Sequence, residues 1–285
     1  MKKILFLAII CLAFTNGNPT YQIFKDNGKP IRYQKMIKQI ADADIVLFGE
    51  LHDNPIAHWL ELQVTKDLYA INGANLVLGA EMFEADNQEF LSAYIKGDLS
   101  DKEFKDTARL WNNYKTDYKP LVDFAKDKNL NFVACNIPRR YASSVFKQGF
   151  EAIDSLSDQE KAWIAPAPIA YDSELPGYKS MLDMGMHMDA DKLANFPKAQ
   201  AIKDATMAHF ILQNYKQGQQ FIHYNGAYHS NNYEGIVWYL KKANPNLKIV
   251  TIYTATAKQI KKMDAELKGK NNFTIVVRED MTKTY

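Results

Sequence analysis

The chain has 285 residues, 47% of them hydrophobic, with 35 basic against 33 acidic side chains and two cysteines. So even a charge balance, with no Lys/Arg run, lacks the electrostatic footprint of a nucleic-acid binder or of a polybasic membrane-surface binder. If the first cysteine leaves with a cleaved N-terminal segment, the single one remaining excludes a thiolate zinc site, and stability falls to a hydrophobic core, which a chain of this length can fill as one domain.

The first residues read as an export signal. Lys2 and Lys3 make a positive start, residues 4–14 an apolar stretch too short to span a bilayer, and Thr15-Asn16-Gly17 a plausible cut. Residues 7–11 partly resemble a lipobox ending at Cys11, although Ile10 is bulkier than the small residue usual before a lipidated cysteine. Ordinary cleavage and lipidation both stay open. Cleavage after Gly17 removes two of the 35 basic residues, balances the 33 acidic ones, and leaves Cys135 with no disulfide partner in the chain. The remainder, residues 18–285, is expected to be a single domain.

After a short opening hairpin or helix, apolar runs at 44–49, 76–81, 130–135, 220–224, 248–253 and 273–277 read as strands. Several are nearly continuous, as strands buried on both faces should be. Between them lie helical patterns: Asn54-Pro55 as N-cap and first position of a helix to about Tyr69, then 120–128, 139–153, 199–215 and 233–242. Ser100-Asp-Lys-Glu103 and Ser157-Asp-Gln-Glu160 look like capping boxes. Alternation of this kind predicts an α/β fold, a mainly parallel sheet covered by helices on both faces. Residues 165–197, with four prolines and four methionines, break the pattern and read as an insertion projecting from the sheet.

In such sheets the ligand crevice lies beyond the carboxyl ends of the strands. There the sequence places Glu50 and His52, then Glu81, then His229. Two carboxylates and two imidazoles suit a divalent metal with an open position or a general acid/base pair. They could equally cap helices and satisfy one another. His58 and His209 fall on helices and read as ordinary surface or core-edge residues, and His223, inside a strand, as a satisfied core histidine. The insertion differs: Tyr171, Tyr178, Lys179 and His187 lie among Met181, Met184, Met186 and Met188. Methionine covers flat, variable surfaces adaptably, tyrosinate is an axial ligand of haem iron, and a lysine or histidine can meet propionates. A lid packed by Met and Tyr against the domain explains the same composition.

Together, Phe48-Gly-Glu-Leu-His-Asp53, Gly79-Ala-Glu-Met-Phe83, residues 200–208 (QAIKDATMA) and Asn225-Gly-Ala-Tyr-His229 resemble the ChaN-like haem-binding uptake proteins. These share a superfamily with the erythromycin esterases and the Tiki proteases. The resemblance runs in order along most of residues 40–255. It implies ferric haem, with two haems stacked face to face in a homodimer, each iron held by a tyrosine of one subunit and the propionates by a histidine and a lysine of the other. Pro176-Gly-Tyr178-Lys179 and Gly185-Met-His187 look like that pattern, with Tyr171 or Tyr178 as the metal ligand. It further implies a transport role in iron uptake, as a periplasmic protein or an outer-membrane lipoprotein held by an N-terminal lipid. The hydrolytic relatives imply the runner-up, a metal-dependent or acid/base hydrolase using Glu50, His52, Glu81 and His229. A pure interaction protein at a membrane would explain the lipobox and leave the polar crevice unexplained.

Overall fold

The computed structural model describes residues 19–285, so the segment read as an export signal and lipobox, Cys11 included, lies outside the described residues. The apolar runs form one eight-stranded sheet: β1 (Tyr21–Lys25), β2 (Pro30–Ile31), β3 (Ile45–Glu50), β4 (Leu76–Glu84), β5 (Phe132–Asn136), β6 (Gln220–Gly226), β7 (Ile249–Ala257) and β8 (Phe273–Arg278). Their order is β2-β1-β8-β7-β3-β6-β4-β5. The six strands from β8 to β5 pair in parallel, and only the opening hairpin β1–β2 joins antiparallel, on the outside of β8.

Among the described residues ten α-helices accompany the sheet: α1 (Tyr33–Ile40), α2 (Pro55–Asn72), α3 (Gln88–Lys96), α4 (Asp101–Thr107), α5 (Lys119–Lys128), α6 (Arg139–Gln148), α7 (Asp158–Lys161), α8 (Pro176–Met184), α9 (Ala190–Asn214) and α10 (Ile236–Ala243). Their positions follow the side-chain alternation of the central strand. Val46 and Phe48 face a core built with Leu60, Val64 and Leu68 of α2 and Leu121 and Val122 of α5, while Ile45 and Leu47 face Met207 and Ile211 of α9 and Leu240 of α10. A strand buried on both faces has no polar side to show water, which is why its sequence is an unbroken apolar run.

The capping signals named from the sequence hold at three helix starts. Asn54 accepts hydrogen bonds from the Ile56 and Ala57 amides with Pro55 at the first helical position, and Ser100 and Ser157 both complete capping boxes. Three boundaries differ from the sequence reading. The helix from Arg139 stops at Gln148, because Gly149 turns the chain at φ +83°, and residues 150–153 form a separate 3₁₀ turn. The helix read from Tyr233 begins at Ile236, after Gly235 at φ +54°. The helix read from Ala199 begins nine residues earlier and carries Pro197 inside it. Among the described residues no helix is long and apolar enough to cross a membrane.

Candidate functional site

Because β3, β4 and β6 run parallel, their carboxyl ends meet at one edge of the sheet, with Glu50 of β3 directly opposite Gly226 of β6. From there β3 leads to α2 and β4 on one side and β6 to α10 and β7 on the other, so the connecting chains part and leave a crevice. A cleft of about 490 Å³ opens there, lined by Glu50, His52, Tyr228, His229, Tyr253 and Tyr285 among others.

Of the four crevice residues named from the sequence, Glu50, His52 and His229 line it, and Glu81 is buried behind Gly226. Glu81 reaches in from β4, past the point where that strand's ladder loses register, and its Oε2 accepts the Gly226 amide at 2.7 Å. Gly226 makes this approach feasible: a Cβ there would lie 2.7 Å from His52 Nε2 and 3.5 Å from Glu81 Oε2. His52 and Glu81 therefore flank the same point. His52, with about a third of its side chain exposed, presents Nδ1 to the buried Glu50 Oε1 at 2.5 Å. Behind it Tyr118 donates to the same oxygen at 2.9 Å.

On the other wall, His229 lies between two carboxylates, Nε2 3.2 Å from Glu81 Oε1 and Nδ1 2.5 Å from Asp204 Oδ1. Burial disfavours a charged imidazole, but the charges of Glu81 and Asp204 outweigh it and push the His229 pKa up to about 10. Burial likewise opposes ionisation of Glu81, yet the His229 charge and hydrogen bond hold its pKa far below the usual carboxylate range. The pair is thus an ion pair at neutral pH.

Among the described residues, the ligand atoms of Glu50, His58 and Glu61 also converge. His58, read as an ordinary helix histidine, is buried with Nδ1 2.8 Å from Glu50 Oε2 and 3.1 Å from Glu61 Oε2. Its position on the first turn of α2 aims it back at the end of β3. Burial and the Glu50 charge push the Glu61 pKa up to about 8, while burial of His58 is outweighed by the hydrogen bonds it donates to Glu50 and Glu61, which push its pKa up to about 11. Opposite them a single π-helical turn, Tyr114–Tyr118, delivers Asp117 and Tyr118. His223 is only half satisfied: Nδ1 meets Asn225 Oδ1 at 3.2 Å, Nε2 has no partner, and burial lowers its pKa to about 4, so it stays neutral. His209 sits half-buried at the edge of α9.

Asp204 and Glu61 were not singled out from the sequence. The available signal was an acidic residue on the buried stripe of a helix, Asp204 between Ala201 and Ala208, Glu61 between Leu60 and Val64.

The segment read as an insertion holds α8, a turn, and the start of α9. Tyr178 is 3% exposed, packed with Met181 and Ala201, and donates to Asp204 Oδ2 at 2.7 Å. Burial, then the Asp204 charge, drives its pKa far above the normal tyrosine range. Tyr171 is half-buried against it, the ring centroids 5.8 Å apart. Lys179 is exposed and donates to Glu174 at 2.8 Å, and His187 is exposed at the tip after the helix. A third tyrosine, Tyr228, passed over in the sequence, is 41% exposed between the cleft and α8 and donates to the Gly177 carbonyl.

The family model for haem-binding uptake proteins, Tiki superfamily, ChaN, matches residues 36–240, and the chain belongs to this family. The fold is shared with the ChaN of Campylobacter jejuni, described with cofacial haem, at TM-score 0.70 and 17% identity, covering 92% of this chain and 98% of that one. A succinoglycan biosynthesis protein matches at TM-score 0.51 and 12% identity, over 90% of this chain and 93% of its own. In sequence, the chloroplastic protein RETICULATA-RELATED 5 of Arabidopsis thaliana is 24% identical over 193 residues, 63% of this chain, which spans about a quarter (26%) of that protein's length.

Proposed function

We propose that this ChaN-family chain binds ferric haem on the surface around α8, with a tyrosine on the iron and a second copy of the chain covering the outer face, as part of a bacterial haem uptake route. The observation that carries this reading is the helix tip. Met184, Met186 and Met188 are 61%, 70% and 38% exposed, beside the exposed His187. Clustered exposed methionines cost solvation unless a flat apolar ligand or a partner covers them. Lys179 and His187 offer the cation and the N–H that propionates accept.

Of the tyrosines, Tyr178 has its hydroxyl buried and engaged by Asp204, and ligation would break that bond and leave Asp204 short of a donor. Tyr171 and Tyr228 reach the surface without that loss, so the iron ligand is assigned to one of these two. The N-terminal signal read from the sequence adds an exported location, periplasmic or lipid-anchored at the outer membrane.

Hemin titration of the native chain and of Tyr171→Phe, Tyr178→Phe and Tyr228→Phe tests the ligand. The high-spin tyrosinate spectrum is expected to vanish in the first or the third and to survive in Tyr178→Phe. An unchanged spectrum in all three would remove tyrosine ligation.

A second reading, the acid/base hydrolase, is favoured by one observation: His52 at the cleft lip is oriented by a buried carboxylate, the arrangement a general base needs. Turnover of a model ester that is lost in His52→Ala would support it, and its absence from the native chain would end it.

A further inference from the structure

We infer that Glu50, His58 and Glu61 form a closed site for one divalent transition-metal ion, set in the core behind the cleft wall and apart from the surface proposed for haem. One nitrogen and one oxygen from each carboxylate lie within 4.8 Å of one another, all from buried residues. His58 Nδ1 faces two carboxylate oxygens at 2.8 and 3.1 Å, and a single ring nitrogen carries at most one hydrogen to share between them. The shortfall is visible in the buried Glu61 Oε1, which has no hydrogen-bond partner, and in the buried Glu50 Oε2, whose one neighbour is the His58 Nδ1 that it shares with Glu61. Orphaned carboxylate oxygens in a dry interior are costly, and a dication supplies both the missing partner and the compensating charge.

The surroundings are those of a second shell. On Glu50, the other oxygen is taken by Tyr118 and His52, which turns Oε2 inward. On His58, Nε2 lies 3.1 Å from the His52 carbonyl and 3.5 Å from Asp117 Oδ2. A ring whose Nε2–H is donated outward to a carbonyl or carboxylate presents the Nδ1 lone pair to a metal, the arrangement usual for ligating histidines. One imidazole and two carboxylates suit zinc, manganese or ferrous iron, and provide too few oxygens for calcium.

The test uses the full chain without a histidine tag, freed of haem and dialysed against chelator. Titration with Zn2+ or Mn2+, followed by elemental analysis of the re-isolated protein, is expected to give one ion per chain and a raised melting temperature. Glu61→Gln, nearly isosteric, should weaken binding by more than about 100-fold, beyond the range for an outer-shell partner, while Glu81→Gln on the opposite wall should retain the ion. Co2+ added to the unmutated chain gives a reading independent of any variant: strong visible bands of a closed, low-coordinate centre. A native chain that takes up no ion, weak octahedral cobalt bands, or an ion lost in Glu81→Gln and kept in Glu61→Gln would overturn the site, the last by moving the metal into the cleft. A chain that takes up no metal and still binds hemin would overturn this inference and leave the haem reading standing.

Discussion

His229 lies between two buried carboxylates, with Glu81 3.2 Å from one ring nitrogen and Asp204 2.5 Å from the other. Removing the imidazole takes the counter-charge from both buried acids, so His229→Ala should cost roughly 3–5 kcal/mol, the range for breaking a buried ion pair. The pH dependence follows in sign. The folded-state pKa is raised from 6.5 to about 10, so this contribution is fully present below pH 6.5 and is lost as pH rises through about 10. Melting curves of the native chain should therefore fall over that window, and those of His229→Ala should start lower and fall less steeply. An equal slope in both would show that His229 is neutral in the fold. Much at this scale was legible, because strand-end Glu and His are visible as polar residues directly after apolar runs. Asp204 and Glu61 were hidden, because a helix carries its buried stripe at intervals of three and four residues, and one acid on that stripe looks like one on the solvent side until the helix is docked.

At the scale of elements, β6 and α9 decide how closely the cleft walls approach. Gly226 ends β6, and a methyl there would sit 2.7 Å from His52 Nε2, closer than any real contact. Gly226→Ala should fold, push His52 away from Glu50, and lower stability by about 1–3 kcal/mol, the usual cost of overpacking. The proton resonances of His52 report the displacement directly; unchanged shifts would mean the backbone had moved instead. Helix α9 illustrates what the sequence conceals. Proline removes an amide donor and clashes with the preceding turn, so Pro197 reads as a helix boundary. Here the helix continues through it from Ala190 to Asn214, because Asn195, Pro197, Ala199 and Ala201 are all buried on the same run of turns and packing outweighs the lost bond. The glycines did the opposite: Gly149 and Gly235, both at positive φ, ended elements that periodicity alone would have extended.

For the whole molecule, the parallel sheet and its two covering layers were legible because the central strands are mostly apolar and alternate with helical patterns. What no single chain can display is the cover over its own exposed surface. The methionines at and after the end of α8 are exposed, with the exposed His187 among them. In the proposed arrangement a planar ligand held there by one tyrosine has its other face bare, and a second chain would bring an identical apolar patch to cover it. A ligand shared between subunits binds the dimer better than the monomer, so haem must promote dimerisation and dilution must weaken haem binding by the same free energy. Sedimentation velocity of the full chain, at matched micromolar concentration with and without hemin and read at the haem absorption band, measures both at once. The account predicts that haem sediments with a dimer at one haem per protomer while the haem-free chain shifts toward monomer; haem travelling with a monomer, or remaining at the meniscus, would contradict it.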